Sequence, residues 1–226
     1  MKRIRALLFD LDGTLLDSAP DLVASLNWVR RSEGLPEVGV EEVKRHASRG
    51  AIGLLEGAMP RSDPGTFEAW RHRFIDHYAQ NSYRLSSLFE GVPSMLAALA
   101  DFGLPWGVVT NKIESLTFPI LEAAGLAGSA ACVVCGDTLS RKKPDPAPVS
   151  LACEILGIDP RETLMVGDDV RDIQAGRAAR TQTAAVLYGY GSVDLQGAVV
   201  EDSFPVHRPS DVIDIVARTH DGRDAD

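Results

Sequence analysis

A chain of 226 residues with 45% apolar and 24% charged residues can build one sizeable core with an elaboration, or two small domains, without staples. Its formal net charge of -9 leaves no basic stripe to neutralise a nucleic-acid backbone. No apolar run approaches the roughly 18 residues of a membrane span, and the apolar stretch before Asp10 is too short for a signal peptide, so a cytoplasmic protein without nucleic-acid or membrane partners is expected.

The first predicted strand is the apolar run at residues 4–9, which ends abruptly in Asp10-Leu11-Asp12-Gly13. A buried parallel strand is apolar on both faces, so charge at this point lies outside the carboxyl end of a sheet, the edge where open α/β sheets bind ligands. Ser18, with Asp21 three residues on, reads as a capping box for a helix carrying Leu22, Leu26 and Val29 and stopped by Gly34. Shorter helices are expected at residues 40–47 and 51–58, around Ser48-Arg49-Gly50. Phe67, Trp70, Phe74 and Tyr78 form the apolar stripe of a longer one, read as core packing. Residues 17–89 therefore form a helical unit with no convincing strand.

From Gly91 the pattern alternates. Helices are expected at 92–102, 116–124, 144–156 and 169–179, and strands at 106–110, 131–135, 163–166 and 183–187, with turn glycines Gly125, Gly157 and Gly167 between them. Ser210 caps a last helix through Val212, Ile213 and Val216, and residues 219–226 are expected to fray. This alternation predicts an α/β fold with a Rossmann-like parallel sheet. Residues 4–9 cannot form a sheet alone and must rejoin the strands beyond residue 100. The helical unit is thus an insertion: residues 1–16 and 90–226 form the core, and residues 17–89 a cap that hinges at crossings near 16 and 90.

The three cysteines, an odd number, suit a reducing compartment. Cys132 and Cys135 have C-x-x-C spacing, but a strand would turn them to opposite faces, and they read as buried core. His72 and His77, five apart, fall on different faces of a helix and form no ligand pair.

Polar clusters fall at or just after the predicted strand ends: Asp10 and Asp12, Thr110-Asn111, Lys142-Lys143-Pro144, and Gly167-Asp168-Asp169 with Asp172 four residues on. Parallel strands bring these ends to one edge. Carboxylates converging there repel one another unless a hard cation sits among them, and oxygen ligands without a histidine or cysteine cluster favour Mg2+ over zinc. The Thr110 hydroxyl, the backbone N–H groups after it and the Lys143 ammonium suit a phosphate group. Gly13 either lets backbone approach that phosphate or simply makes a turn. Asp169 reads as a helix cap, and Asp172 as a first-turn residue favoured by the helix dipole.

Asp10-Leu11-Asp12-Gly13-Thr14-Leu15, Thr110-Asn111, Lys143-Pro144-Asp145-Pro146 and Val166-Gly167-Asp168-Asp169-Val170-Arg171-Asp172-Ile173, in this order, closely resemble the haloacid dehalogenase superfamily in its phosphoglycolate phosphatase-like branch. The resemblance covers essentially the whole chain and implies a modified Rossmann core with a helical cap. It implies that Asp10 attacks phosphorus to form an aspartyl-phosphate, while Asp12 protonates the leaving alkoxide and then deprotonates water. It further implies Mg2+ held by Asp10, the backbone carbonyl of Asp12 and Asp168, with Asp172 behind them, and a phosphoryl group bound by Thr110, Asn111 and Lys143.

Asp12 disfavours carbon–halogen cleavage, which needs no acid at that position, and Gly167-Asp168 differs from the Glu-Asp pair of the phosphosugar mutases. The runs Trp106-Gly107-Val108-Val109-Thr110-Asn111-Lys112 and Leu187-Tyr188-Gly189-Tyr190-Gly191 look like enzymes named phosphoglycolate phosphatase, some of which act on N-acetylmuramic acid 6-phosphate. The expected activity is hydrolysis of a small phosphate ester by a monomer or homodimer, with phosphoglycolate the leading substrate and N-acetylmuramic acid 6-phosphate or another sugar phosphate the alternative. Arg49, in the loop expected to face the site, is the candidate for a substrate carboxylate. The reading of a different class is a phospho-aspartate receiver or a silent metabolite-binding protein.

Overall fold

The structure is a computed structural model that describes residues 2–191 and 202–221. In chain order its strands are β1 (Ala6–Phe9), β2 (Leu16–Asp17), β3 (Ser87–Leu88), β4 (Trp106–Val109), β5 (Cys132–Val134), β6 (Thr163–Gly167), β7 (Gln182–Val186) and β8 (Phe204–Val206). The helices are α1 (Ala19–Ser32), α2 (Val40–Val43), α3 (Gly50–Ala58), α4 (Pro64–Asn81), α5 (Val92–Asp101), α6 (Glu114–Ala123), α7 (Ala147–Leu156), α8 (Val170–Ala178) and α9 (Ser210–Asp221).

Strand β1 is buried at every position and lies inside a six-stranded sheet of order β5-β4-β1-β6-β7-β8, with every pairing parallel. The period-two alternation of a strand sends Leu7 and Phe9 into the larger core and Leu8 into a second core on the other face, with Val109, Val134, Cys153 and Met165. Both faces are covered: α7 and α8 pack side by side on the Leu8 face, and α5, α6 and α9 bury Leu99, Ile120 and Val216 in the larger core on the other. That is why these strands read as unbroken apolar runs. The cysteines Cys132, Cys135 and Cys153 are buried and unbridged.

Between β1 and the rest of the sheet, α1, α3 and α4 pack on one another. Trp70, Phe74 and Tyr78 bury the predicted stripe of α4. Residues 40–47 depart from one helix: α2 stops at Val43, and Lys44–Arg49 continue as a 3-10 helix. The chain also makes a short strand pair, since β2 and β3 run antiparallel where the helices leave and rejoin the sheet.

The capping box expected at Ser18 does not form. The Ser18 hydroxyl makes no cap bond, and the Asp21 carboxylate instead accepts from the N–H groups of Arg84, Leu85 and Ser86 and from the Ser86 hydroxyl. Four donors from across the fold outweigh the one N-cap amide that local spacing offers. The end of the chain also differs, because β8 was not expected and α9 runs to Asp221, with the Thr219 hydroxyl accepting from Ile4 N. The expected fray therefore does not hold at residues 219–221, and residues 222–226 lie outside the described residues.

Candidate active site

Asp10 directly follows β1, and its N–H donates to Val166 O at 2.9 Å, so the β1–β6 pairing places its carboxylate. Thr110 follows β4 in the same way, with its N–H on Val134 O of β5. Lys143 lies between β5 and α7. Asp168 follows β6, and Asp172 occupies the first turn of α8, where it completes a capping box with Asp169. The expectation of Asp169 as the helix cap therefore holds.

One carboxylate oxygen each from Asp10, Asp168 and Asp172 lies within 4.8 Å of the others. Lys143 Nζ bridges two of them, at 2.8 Å from Asp10 Oδ1 and 2.7 Å from Asp172 Oδ1, and also donates to Val109 O. Burial alone would lower the lysine pKa, yet Asp10 and Asp172 hold it above the usual lysine range. Asp168 accepts from the Thr14 hydroxyl at 3.1 Å and from the N–H groups of Tyr190 and Gly191 at 2.9 and 3.0 Å. Burial, and then the charges of Asp10 and Asp172, push its carboxyl well above the ordinary range. Burial likewise raises Asp172 to about 7, against the opposing pull of Lys143. Three buried carboxylates against one ammonium leave excess negative charge, and an all-oxygen donor set of this kind fits a hard divalent cation. Asp172, expected behind the ligands, contributes an oxygen to this group.

Asp12 is turned elsewhere: its Oδ1 accepts from Lys112 Nζ at 2.7 Å. Lys112 also donates to the Tyr78 hydroxyl at 3.0 Å. Burial would lower its pKa, but Asp12 and Tyr78 hold it above the usual range. Asn111 uses its amide to hold the Lys143 carbonyl at 2.9 Å, while its Oδ1 finds no partner among the described residues. Thr110 is buried, and its hydroxyl accepts from Lys112 N.

Asp10, Asp12, Thr110, Asn111 and Lys143 all open on one cavity of about 230 Å³, closed from the helical side by Phe74, Ile75, Tyr78 and residues 47–52, which form the junction of the 3-10 helix with α3 rather than the expected loop. Arg49 stands at its rim, half exposed, with its guanidinium 2.7 Å from Glu56. Arg171 ties the two sides together, holding Asp169 and donating to Ser48 O at 2.8 Å.

Three residues at this site carry no separate role in the sequence. Lys112 adjoins Thr110-Asn111, but its partner lies 100 positions away. Tyr78 reads as core, and most of its ring is. Arg171 stands inside a matching motif without a visible partner.

Residues 7–186 match the family model described as haloacid dehalogenase-like hydrolase. The chain is a haloacid dehalogenase-like hydrolase. It is 43% identical over 217 residues, 96% of each chain, to the N-acetylmuramic acid 6-phosphate phosphatase of Pseudomonas aeruginosa. It is 40% identical over 188 residues to the phosphoglycolate phosphatase of Xylella fastidiosa strain Temecula1, covering 83% of this chain and 82% of the relative. The crystal structure of a predicted phosphoglycolate phosphatase from Haemophilus somnus superposes with a TM-score of 0.82 at 29% identity, over 95% of this chain and 99% of that one. With relatives of this kind over nearly its full length, the hydrolase is an enzyme of the phosphatase class, and the receiver reading is set aside. No helix among the described residues is long and apolar enough to cross a membrane.

Proposed function

We propose that this hydrolase is a Mg2+-dependent phosphomonoesterase that works through an aspartyl-phosphate on Asp10. The observation that carries the reading is the separation of the acidic pair: Asp10 is held by Lys143 and Asp12 by Lys112, yet both face the same cavity. Two carboxylates with different partners can do different work. Asp10 attacks phosphorus. Asp12 delivers a proton to the departing alkoxide, then takes one from the water that attacks the phosphoenzyme, which returns Asp10 to a carboxylate and releases phosphate. Lys143 and Thr110 cradle the phosphoryl oxygens, and Asn111 holds Lys143 in position through its carbonyl. Asp10, Asp168 and Asp172, with the carbonyl of Asp12, would hold Mg2+, which when bound offsets charge on the transferring phosphoryl group. Residues 17–89 act as a cap that hinges at the β2–β3 pair, and small cytoplasmic metabolites reach the site when it lifts. The catalytic unit is a monomer or a homodimer.

Among substrates, N-acetylmuramic acid 6-phosphate fits the cavity better than phosphoglycolate. The wall includes Leu22, Ile52, Phe74, Ile75, Ile113 and Leu116. A sugar ring with acetamido and lactyl methyl groups can cover such a wall, whereas glycolate has one methylene to offer. Both carry a carboxylate that Arg49 can meet once it leaves Glu56. The 43% identity to the P. aeruginosa enzyme points the same way, while the 40% relatives named phosphoglycolate phosphatase support the smaller substrate as a second reading.

Asp10→Asn is expected to abolish phosphate release from p-nitrophenyl phosphate while leaving the circular dichroism spectrum unchanged; retained turnover rejects the mechanism. Comparing kcat/KM for the two candidate substrates decides between them, and a preference for phosphoglycolate of tenfold or more, about 1.4 kcal/mol in transition-state binding, would overturn the sugar-phosphate reading.

A further inference from the structure

The cluster of Asp12, Lys112 and Tyr78 joins the two parts of the fold at the reacting end of the cavity. Lys112 sits between β4 and α6, with its side chain only 7% exposed. Its ammonium donates to Asp12 Oδ1 at 2.7 Å and to the Tyr78 hydroxyl at 3.0 Å, and lies 4.9 Å from the centre of the Tyr78 ring. Asp12 and Lys112 belong to the sheet edge, and Tyr78 to α4 of the inserted helices.

We propose that Lys112 is a positioning residue for the hydrolytic half of the reaction, and that Tyr78 is the latch through which the closed insert holds Lys112 on Asp12. The inference rests on the acid/base reading of Asp12. With Oδ1 tied to Lys112, the remaining oxygen of Asp12 is the one left to face water in the cavity. In that step the water oxygen bonds to phosphorus, the bond from phosphorus to the Asp10 carboxylate breaks, and Asp12 Oδ2 takes the water proton. A water molecule is small and weakly held, so its base must be aimed by the protein rather than by the substrate.

A buried ammonium does not stay unpaired, and the Tyr78 hydroxyl and ring face give Lys112 the contacts that keep it directed at Asp12. When α4 lifts, those contacts leave with it and the Lys112–Asp12 pair becomes a solvated one of small strength. The phosphoenzyme is thus hydrolysed while the insert is closed.

The test uses p-nitrophenyl phosphate, whose leaving group needs little help from an acid. Slowing only hydrolysis of the phosphoenzyme lowers kcat and KM together, leaves their ratio little changed, and produces a burst of nitrophenolate. Lys112→Met is expected to lower both constants by roughly tenfold, a part of the 10²–10⁴ that a general base supplies, with a burst near one equivalent. Tyr78→Phe, which keeps the ring but not the hydroxyl, is expected to move both in the same direction by less, and Lys112→Arg to shrink the burst relative to Lys112→Met. Asp12→Asn is the reference and must itself show a burst. If it does not, the acid/base reading of Asp12 has failed. If Asp12→Asn shows a burst but Lys112→Met loses kcat/KM at constant kcat, or shows no burst, Lys112 binds substrate or serves packing, and the present inference alone is overturned.

Discussion

Gly13 lies in the turn after the Asp10–Asp12 pair, with φ at +86°, and a Cβ there would run into the Asp168 carboxylate. Its constraint therefore comes from the neighbouring Asp168 carboxylate as well as from the turn. Gly34, at φ +71°, has the same backbone demand but open space around it. The pair separates strain from contact. Gly34→Ala should cost about 1 kcal/mol of stability and leave Mg2+ affinity untouched. Gly13→Ala should cost roughly 1–3 kcal/mol and also weaken Mg2+ binding, because Asp168 must move. Urea titrations with and without Mg2+ measure both, and equal Mg2+ stabilisation of the two variants would reject this role for Asp168's neighbour.

At the scale of elements, the crossings between the helices and the sheet are held by buried polar groups. Asp21 on α1 gathers the 84–86 segment just before β3, and Tyr190 accepts from Ala19 N at 2.8 Å while donating to Asp17 at 2.6 Å. The same 187–191 loop supplies two N–H groups to Asp168, so that carboxylate and the first crossing share one support. Asp21→Ala leaves buried backbone donors without an acceptor and is expected to destabilise the protein by about 3 kcal/mol. An unchanged urea midpoint would refute it. None of these partners could be read locally: Ser18 and Asp21 have the spacing of a capping box, and the aromatic pair in the 187–191 loop has no near neighbour to mark it. Strand β8 escaped notice for a related reason, since Phe204-Pro205-Val206 is a short edge strand holding a proline that an inner strand would not tolerate.

For the whole molecule, burial of the acidic trio couples folding to pH, and the proposed Mg2+ site would couple it to metal. Asp172 is raised to about 7 and Asp168 well above the ordinary range, first by burial. A carboxyl whose folded pKa is raised binds its proton more tightly in the folded state. Its stabilisation is complete below the unfolded value near 3.8 and is lost as pH climbs through about 7. A divalent cation bound at the proposed site would replace those protons. The increase in Tm on adding saturating Mg2+ should therefore be small at pH 6 and larger at pH 8. An equal increase at both values would show that the trio is not the binding site.

The strand-to-helix alternation and the polar clusters at the strand ends were legible because each is a property of a few consecutive residues. Burial on both faces demands an apolar run, and a ligand edge demands that the run end in charge. Asp10, Thr110 and Asp168 reach one edge for that reason, since parallel strands carry their carboxyl ends to the same side, and the segment between β5 and α7 brings Lys143 to them. Pairing is different in kind. Lys112 on Asp12, Tyr78 on Lys112, Asp172 inside the carboxylate trio, Arg171 on the Ser48 carbonyl and Asp21 on the 84–86 backbone each join groups that local spacing does not relate. Their choice among donors of similar chemistry depends on how the inserted helices cross the sheet edge. The residue types at this edge were visible along the chain, whereas the different partners of its two carboxylates, Lys143 on Asp10 and Lys112 on Asp12, came only with folding.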